Sequence, residues 1–244
     1  MSTAIYFYFK TKGYNVIADL SYFDSKHRIA IPGINGEMSH WKWEMTCYGI
    51  SKDNFDIGTN VFHNMPLLSD GVVKHKLGVN ALKSSTIKNF LDIEKNDTFS
   101  EQYRKSELLG EQYLCLHVRR GDYLNVASHV ISNESLDNIA SQFSSLVDSI
   151  LILSDSPVDI NQFKSIVLKF ENRIHIIDTD TDPVFSHSLM RNASILICSN
   201  SQFSLSAGLL SRGLVVIPKT WHSPKFKRLN QKINEMTEFS IVKY

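Results

Sequence analysis

Apolar runs recur through the second half of the chain at fairly even spacing: Tyr113–Val118, Ile150–Leu153, Ile174–Ile177, Ile195–Cys198 and Leu214–Ile217. Between them, apolar residues fall at helical spacing over Leu136–Val147, Ile160–Phe170, Val184–Arg191 and Phe203–Leu210. A short continuous apolar run suits a strand buried on both faces. Strands alternating with helices of this length predict βαβ units, hence an α/β domain on a parallel sheet. Ligands bind such sheets outside the carboxyl ends of the strands. The polar groups expected there, on one rim, are His117–Asp122, Ser154-Asp155, Asp178–Asp182, Ser199-Asn200-Ser201 and Pro218.

The first half has less pattern. Ser2 can cap a short helix through Tyr6–Phe9, with Gly13 closing it at C′. Val16–Ala18 reads as a short buried strand ending at Asp19. From Tyr22 to about Gly78 the sequence is irregular, punctuated by Pro32, Gly33, Gly36, Gly49, Gly58, Pro66 and Gly71. Trp41 and Trp43 lie two apart, as on one face of a strand, while Thr86–Ile93 and Ser100–Leu109 carry helical spacing. The character changes after Gly110, which divides residues 1–110 from 111–244.

Composition narrows the class of partner. A chain of 244 residues holds one large domain or two small ones. A formal net charge of +1 argues against a general nucleic-acid or polyanion binder, so any anion binding must be local. Cys47, Cys115 and Cys198 are odd in number and scattered, which excludes a disulfide framework and suits a reducing compartment. The N-terminus lacks the basic region and small-residue cleavage site of a secretory signal, and no apolar run approaches the ~18–20 residues of a membrane span. The expected location is the cytosol, with peripheral contact at the inner face of the plasma membrane left open.

The most unusual local choice is Leu114–Tyr123, L-C-L-H-V-R-R-G-D-Y. Buried charges need partners, so Arg119, Arg120 and Asp122 are expected where the strand emerges into a cleft. Two guanidiniums on a rigid strand end can hold a phosphate or carboxylate; a surface ion-pair cluster is the competing reading. Helix N-termini after the strands, at 182–184 and 199–204, would aim N–H groups at the same rim, which favours a diphosphate. Arg120-Gly121-Asp122 also spells an integrin-binding tripeptide, disfavoured by its place directly after a strand. Asp178, Asp180 and Asp182 resemble a D-x-D divalent-ion site. A solvated loop with Asp182 capping a helix that opens at Pro183 is the simpler reading. Ser199–Gly208 offers a neutral anion cradle, though ordinary N-caps look the same. The sequence has no P-loop, no G-x-S-x-G elbow and no H-E-x-x-H or paired-cysteine zinc spacing. His222, after Trp221, is a weaker rim candidate.

With these residues in hand, the chain resembles the α-1,2-fucosyltransferases of glycosyltransferase family 11. H-V-R-R-G-D-Y is similar to their H-x-R-R-x-D-Y segment, and S-N-S-Q-F-S to their N-S-S-F-S block. V-V-I-P-K-T-W-H resembles their closing strand and P-x-x-W, and K-G-Y-N-V-I-A-D-L-S-Y-F-D their first helix-to-strand segment. The resemblance covers most of the chain, with Arg119-Arg120 and their flanks its most specific part.

The resemblance implies a GT-B-like architecture of two Rossmann-like α/β domains facing a cleft. Residues 1–110 would form a short acceptor-side domain and 111–244 the GDP-sugar-binding domain. It implies inverting transfer of L-fucose from GDP-fucose to the 2-hydroxyl of a β-galactoside, without a metal or other cofactor. The acceptor would be a galactose-terminated oligosaccharide or lipid-linked glycan of the cell surface, as in O-antigen lipopolysaccharide. His117 and Asp182 would lie near the guanine or ribose, and Arg119 with Ser201 would hold the β-phosphate. Asp155, Asn200 and Ser204 complete the expected donor-binding set, and Arg119, Arg120 and Asp122 the catalytic set.

The sequence departs from the family in lacking its opening glycine-rich G-G-L-G-N-Q segment and in carrying Leu205-Ser206 where the family has a Trp pair. The N-terminal domain is therefore expected to be incomplete. Two alternatives follow: a GDP-sugar-binding protein without turnover, or a metal-dependent glycosyl- or phosphotransferase using Asp178, Asp180 and Asp182.

Overall fold

The computed structural model describes residues 6, 9–18, 53, 55–58, 112–125, 129–177, 179, 181, 183–211, 213–218 and 241–243. The chain divides into two compact units, Met1–Asn96 with Gln231–Met236, and Asp97–Asn230 with Thr237–Tyr244. The expectations for Ser2, Trp41, Trp43, Thr86–Ile93, Ser100–Leu109, Asp178, Asp180, Asp182, Trp221 and His222 fall wholly or in large part outside the described residues.

Among the described residues of the second unit, six strands run parallel in one sheet: β1 (Tyr113–Val118), β2 (Ser149–Ser154), β3 (Ile174–Ile177), β4 (Ile195–Ile197), β5 (Leu214–Ile217) and β6 (Ile241–Lys243). Their order is β3-β2-β1-β4-β5-β6. That is the doubly wound order, with its reversal between β1 and β4. Helices α1 (Asn133–Phe143), α2 (Lys164–Phe170), α3 (Pro183–Arg191) and α4 (Gln202–Leu210) connect successive strands from β1 to β5.

Burial explains why the strand runs are continuously apolar. Leu114, Leu116 and Val118 join Ile150, Ile152, Ile195, Ile197 and Val216 in a core with Leu136, Ile139 and Ala140 of α1 and Ile166 and Phe170 of α2. On the opposite face, the Tyr113 hydroxyl donates to the Leu189 carbonyl of α3 at 2.7 Å. Gly208 of α4 lies there against Val215, Cys198 and Leu196. In β1, β2 and β4 both faces are covered, which leaves little room for the polar half of an alternating pattern, whereas the edge strand β3 carries His175 and exposes Ile176. Cys115 and Cys198 are buried in this sheet, and burial raises both thiols, Cys198 to about 12.

The helices begin where short polar side chains can satisfy their first N–H groups. The Ser132 hydroxyl accepts from Ser135 N at 3.1 Å, and that of Ser201 from Phe203 N at 3.2 Å. The buried Asp137 carboxylate reaches from α1 to accept from Ser165 N at 2.9 Å and Ile166 N at 3.0 Å, capping α2 from its neighbour. Pro183 opens α3 at the position where a missing N–H costs nothing.

The elements differ from expectation in four places. The helix expected over Leu136–Val147 starts earlier, at Asn133, and its end tightens into a 3-10 turn over Ser144–Leu146. Ile160–Gln162 is a separate 3-10 turn ahead of α2, made by Asp159 accepting from Asn161 N at 3.0 Å. Val16–Ala18 is not a buried strand: the three residues are half-buried, and only Ala18 forms a parallel bridge, to Ile57. A single bridge supplies no ladder. Finally, β6 was not expected, because I-V-K is too short to signal a strand by itself.

In the first unit, the helical residues 9–11 end as expected at Gly13, whose φ is 80°. Gly13 N donates to Lys10 O at 3.0 Å and Tyr14 N to Phe9 O at 3.1 Å. Lys10 pairs with Asp56, whose amide donates to the Tyr6 hydroxyl at 2.8 Å. No helix among the described residues is long and apolar enough to cross a membrane.

Candidate anion site at the sheet switch point

Parallel pairing puts the two most distinctive segments beside each other. Leu116 of β1 faces Ile197 of β4, so the residues that follow emerge together at the carboxyl edge where the strand order reverses. His117 Nδ1 and Ser199 Oγ meet there at 2.8 Å, both buried. Burial, with the nearby Arg119 charge adding to it, lowers the His117 pKa to about 3. The ring is therefore a neutral hydrogen-bonding group at any ordinary pH, with Phe203 of α4 packed at 6.2 Å between centroids.

Beyond β1 the chain turns sharply, and β2 supplies the groups that fix the turn. Arg119 Nη1 pairs with Asp155 Oδ2 at 2.8 Å, and its guanidinium lies 5.1 Å from the centre of the Tyr123 ring. Arg120 N donates to Asp155 Oδ1 at 2.7 Å, and Gly121 N to Ser156 Oγ at 3.1 Å. Gly121 is required here: its φ is 28°, and a Cβ would meet Asp155 Oδ2 at 2.5 Å. A 3-10 turn over Gly121–Asn125 follows, with Tyr123 N donating to Arg120 O at 2.7 Å.

The two arginines do not form the matched fork that their adjacency suggests. Arg120 folds back, donating through Nη1 to the Arg119 carbonyl at 2.8 Å and through Nη2 to Asn133 at the start of α1. Half-burial lowers its pKa, with Asp155 opposing that shift; a guanidinium stays charged regardless. Arg119 is the one held at the strand end by an acid and an aromatic face.

The β4 end contributes backbone. Ser199, Asn200 and Ser201 are all buried, and Ser201 N donates to Ser199 O at 2.7 Å in a tight turn into α4. Ser204 is fully buried, and its hydroxyl donates to the carbonyls of Ser201 at 3.3 Å and Ser199 at 3.5 Å. It holds the turn from inside. Ser201 likewise spends its hydroxyl on the cap, so an anion cradle here would consist of the N–H groups of the first turn. Asn200 donates through Nδ2 to His129 O at 3.2 Å, whereas its buried Oδ1 has no hydrogen-bond partner among the described residues. An unmet buried acceptor costs about 1–3 kcal/mol.

Of the residues singled out from sequence, His117, Arg119, Arg120, Asp155, Asn200, Ser201 and Ser204 thus lie on or just behind one rim. Asp122 belongs to the 3-10 turn after Gly121, while Asp182 is outside the described residues. Ser199, named from sequence only as part of the polar rim and cradle, is the partner of His117, whereas Ser156 and Asn133 act in the site without having been named for it. The polar S-D-S at the end of β2 was the one signal that could have flagged Ser156. Comparisons with protein-family models, with curated proteins and with solved structures find no match to this chain.

Proposed function

We propose that this protein transfers L-fucose from GDP-fucose to the 2-hydroxyl of a β-galactoside in a cell-surface glycan, inverting the anomeric centre without a metal, in a GT-B arrangement. The observation that carries the reading is the 2.8 Å contact of His117 with Ser199, which joins the two family-like motifs at the switch point of a doubly wound sheet. Breaking the bond between fucose C1 and the diphosphate oxygen leaves negative charge on the departing GDP. Arg119 and the first-turn N–H groups of α4 meet that charge as fixed donors, which is electrostatic preorganisation. Fucose C1 forms its new bond to the acceptor oxygen on the opposite face, and the hydroxyl proton passes to a base or to the leaving phosphate.

The test is GDP release from GDP-fucose with a panel of β-galactosides, run with and without chelator. The expected result is release that requires a galactoside and is indifferent to EDTA. GDP binding without turnover on any galactoside would reduce the protein to a GDP-sugar binder. Activity lost in EDTA and restored by Mn would transfer the chemistry to Asp178, Asp180 and Asp182.

A pH prediction follows from the buried imidazole. His117 has a folded pKa near 3 against about 6.5 when unfolded, so the unfolded chain binds the extra proton first. Its stabilising contribution is complete above about 6.5 and is lost as pH falls towards 3. His187, buried on α3 with Arg191 beside it, is lowered in the same direction. His117 adds up to about 1.4 kcal/mol of stability loss per pH unit in that window. Urea unfolding of wild type and His117→Asn between pH 4 and 7 checks this. The variant should show a shallower slope, by up to one proton.

A further inference from the structure

We infer that Asp155 is a positioning residue, which presets Arg119 and the turn behind it for an anion rather than touching the ligand. Both of its carboxylate oxygens are already committed to the chain. Oδ1 accepts from Arg120 N at 2.7 Å, and Oδ2 pairs with Arg119 Nη1 at 2.8 Å. A phosphate approaching these oxygens would meet a like charge, and a donor hydroxyl would have to share oxygens already engaged by the chain. The approach of Gly121 to within 2.5 Å of Oδ2, measured from where a Cβ would stand, shows that the turn is built around this carboxylate. Ser156, the next residue, fastens Gly121 from the same strand end.

The effect is on orientation more than on stability. Arg119 and Asp155 retain 32% and 23% side-chain exposure, and half-exposed pairs add little to folding. The turn also has backbone bonds of its own, from Tyr123 N and Leu124 N to Arg120 O. What Asp155 supplies is a fixed direction for one end of a long side chain, whose guanidinium lies between this carboxylate and the Tyr123 ring. A cation held in place before the ligand arrives loses no rotamer entropy on binding. Its use with a nucleoside diphosphate rests on the function proposed above.

Coulomb's law makes the test sharp. Deleting a negative charge 2.8 Å from the guanidinium would by itself strengthen anion binding. Weaker binding in Asp155→Asn therefore reports lost orientation. GDP titrations of wild type, Asp155→Asn, Arg119→Ala and the double variant should show about a tenfold loss for Asp155→Asn. In the Arg119→Ala background, the further loss from Asp155→Asn should be under about twofold. Equal losses in both backgrounds, or tighter binding, would overturn the inference.

A readout without ligand separates it from the proposed function. The Arg119 Nε–H resonance, assigned by its disappearance in Arg119→Lys, should be discrete in wild type and collapse to the exposed average in Asp155→Asn. An unchanged resonance sinks the brace whatever GDP does. Wild type that binds no GDP, with the resonance collapsing as expected, sinks the fucosyltransferase reading and leaves the brace intact. Should Asp155→Asn not fold, Asp155→Glu, which keeps the charge but moves it, serves in the same comparisons.

Discussion

Arg119→Ala is expected to lower the proposed fucosyl transfer at least about 10²–10³-fold, the usual cost of removing one fixed donor from a developing negative charge. It should do so with little change in melting temperature. The residue stands just past the last β1 position, and its pair with Asp155 is partly solvated, so the sheet and its apolar core do not depend on it. The loss should appear mainly in kcat, because negative charge on the diphosphate oxygen grows between the bound substrate and the transition state. Arg119→Lys should recover only part of the rate, since an ammonium cannot serve Asp155 and a phosphate with the planar geometry of a guanidinium. Steady-state kinetics with GDP-fucose and an active galactoside, beside a thermal melt, measures both quantities. Near wild-type turnover in a folded Arg119→Ala protein would remove this arginine from the mechanism.

Gly213→Ala should be the most damaging glycine-to-alanine change among the described residues of the second unit. A Cβ at Gly213 would stand 2.3 Å from Ala193 O and 2.5 Å from Ser194 O. Both are backbone atoms at the start of β4, and the carbonyl of Ser194 already accepts from Leu214 N at 2.9 Å. Relief requires β5 to shift against β4, at the strand junction that ends in Ser199–Ser201. The expected cost is about 3 kcal/mol or more, the upper end for overpacking because backbone cannot rotate away as a side chain can. That corresponds to a melting temperature lower by roughly 10 °C. Gly208→Ala is the control. Its Cβ would meet Val215 Cγ1 at 2.8 Å, but that is the tip of a side chain, and the cost should be clearly smaller. If Gly208→Ala proves the worse of the two, the backbone-clash account is wrong.

Much of this architecture can be read from the chain because its central strands are buried on both faces. A run such as Tyr113–Val118 has no polar alternation to confuse with helix, and its bounds in sequence and structure coincide. The same holds for Ile174–Ile177 and Leu214–Ile217. The sites of α1 and α4 were legible from apolar spacing, but their starts depended on caps. Ser132 and Ser201 declare themselves only when their hydroxyls turn onto the N–H groups two or three residues on. Asp137 could not have been read as the cap of α2, since it lies on a different helix. β6 escaped because three residues carry no period; only its pairing with β5 makes it a strand.

The candidate site divides in the same way. Sequence by itself determined which side chains stand at strand ends, and that His117, Arg119, Arg120 and Asp155 belong to a single polar rim. Those facts follow from local periodicity and the one-sided logic of a parallel sheet. Tertiary structure alone decided what each group does. It placed β4 along the edge of β1 opposite β2, which joined His117 to Ser199 across 82 positions of sequence. It also separated the roles of two adjacent arginines, giving one to Asp155 and Tyr123 and turning the other back on its own chain. The physical reason is that strand order and side-chain partnership are set by packing between distant segments, and no local pattern encodes which neighbour a strand will find.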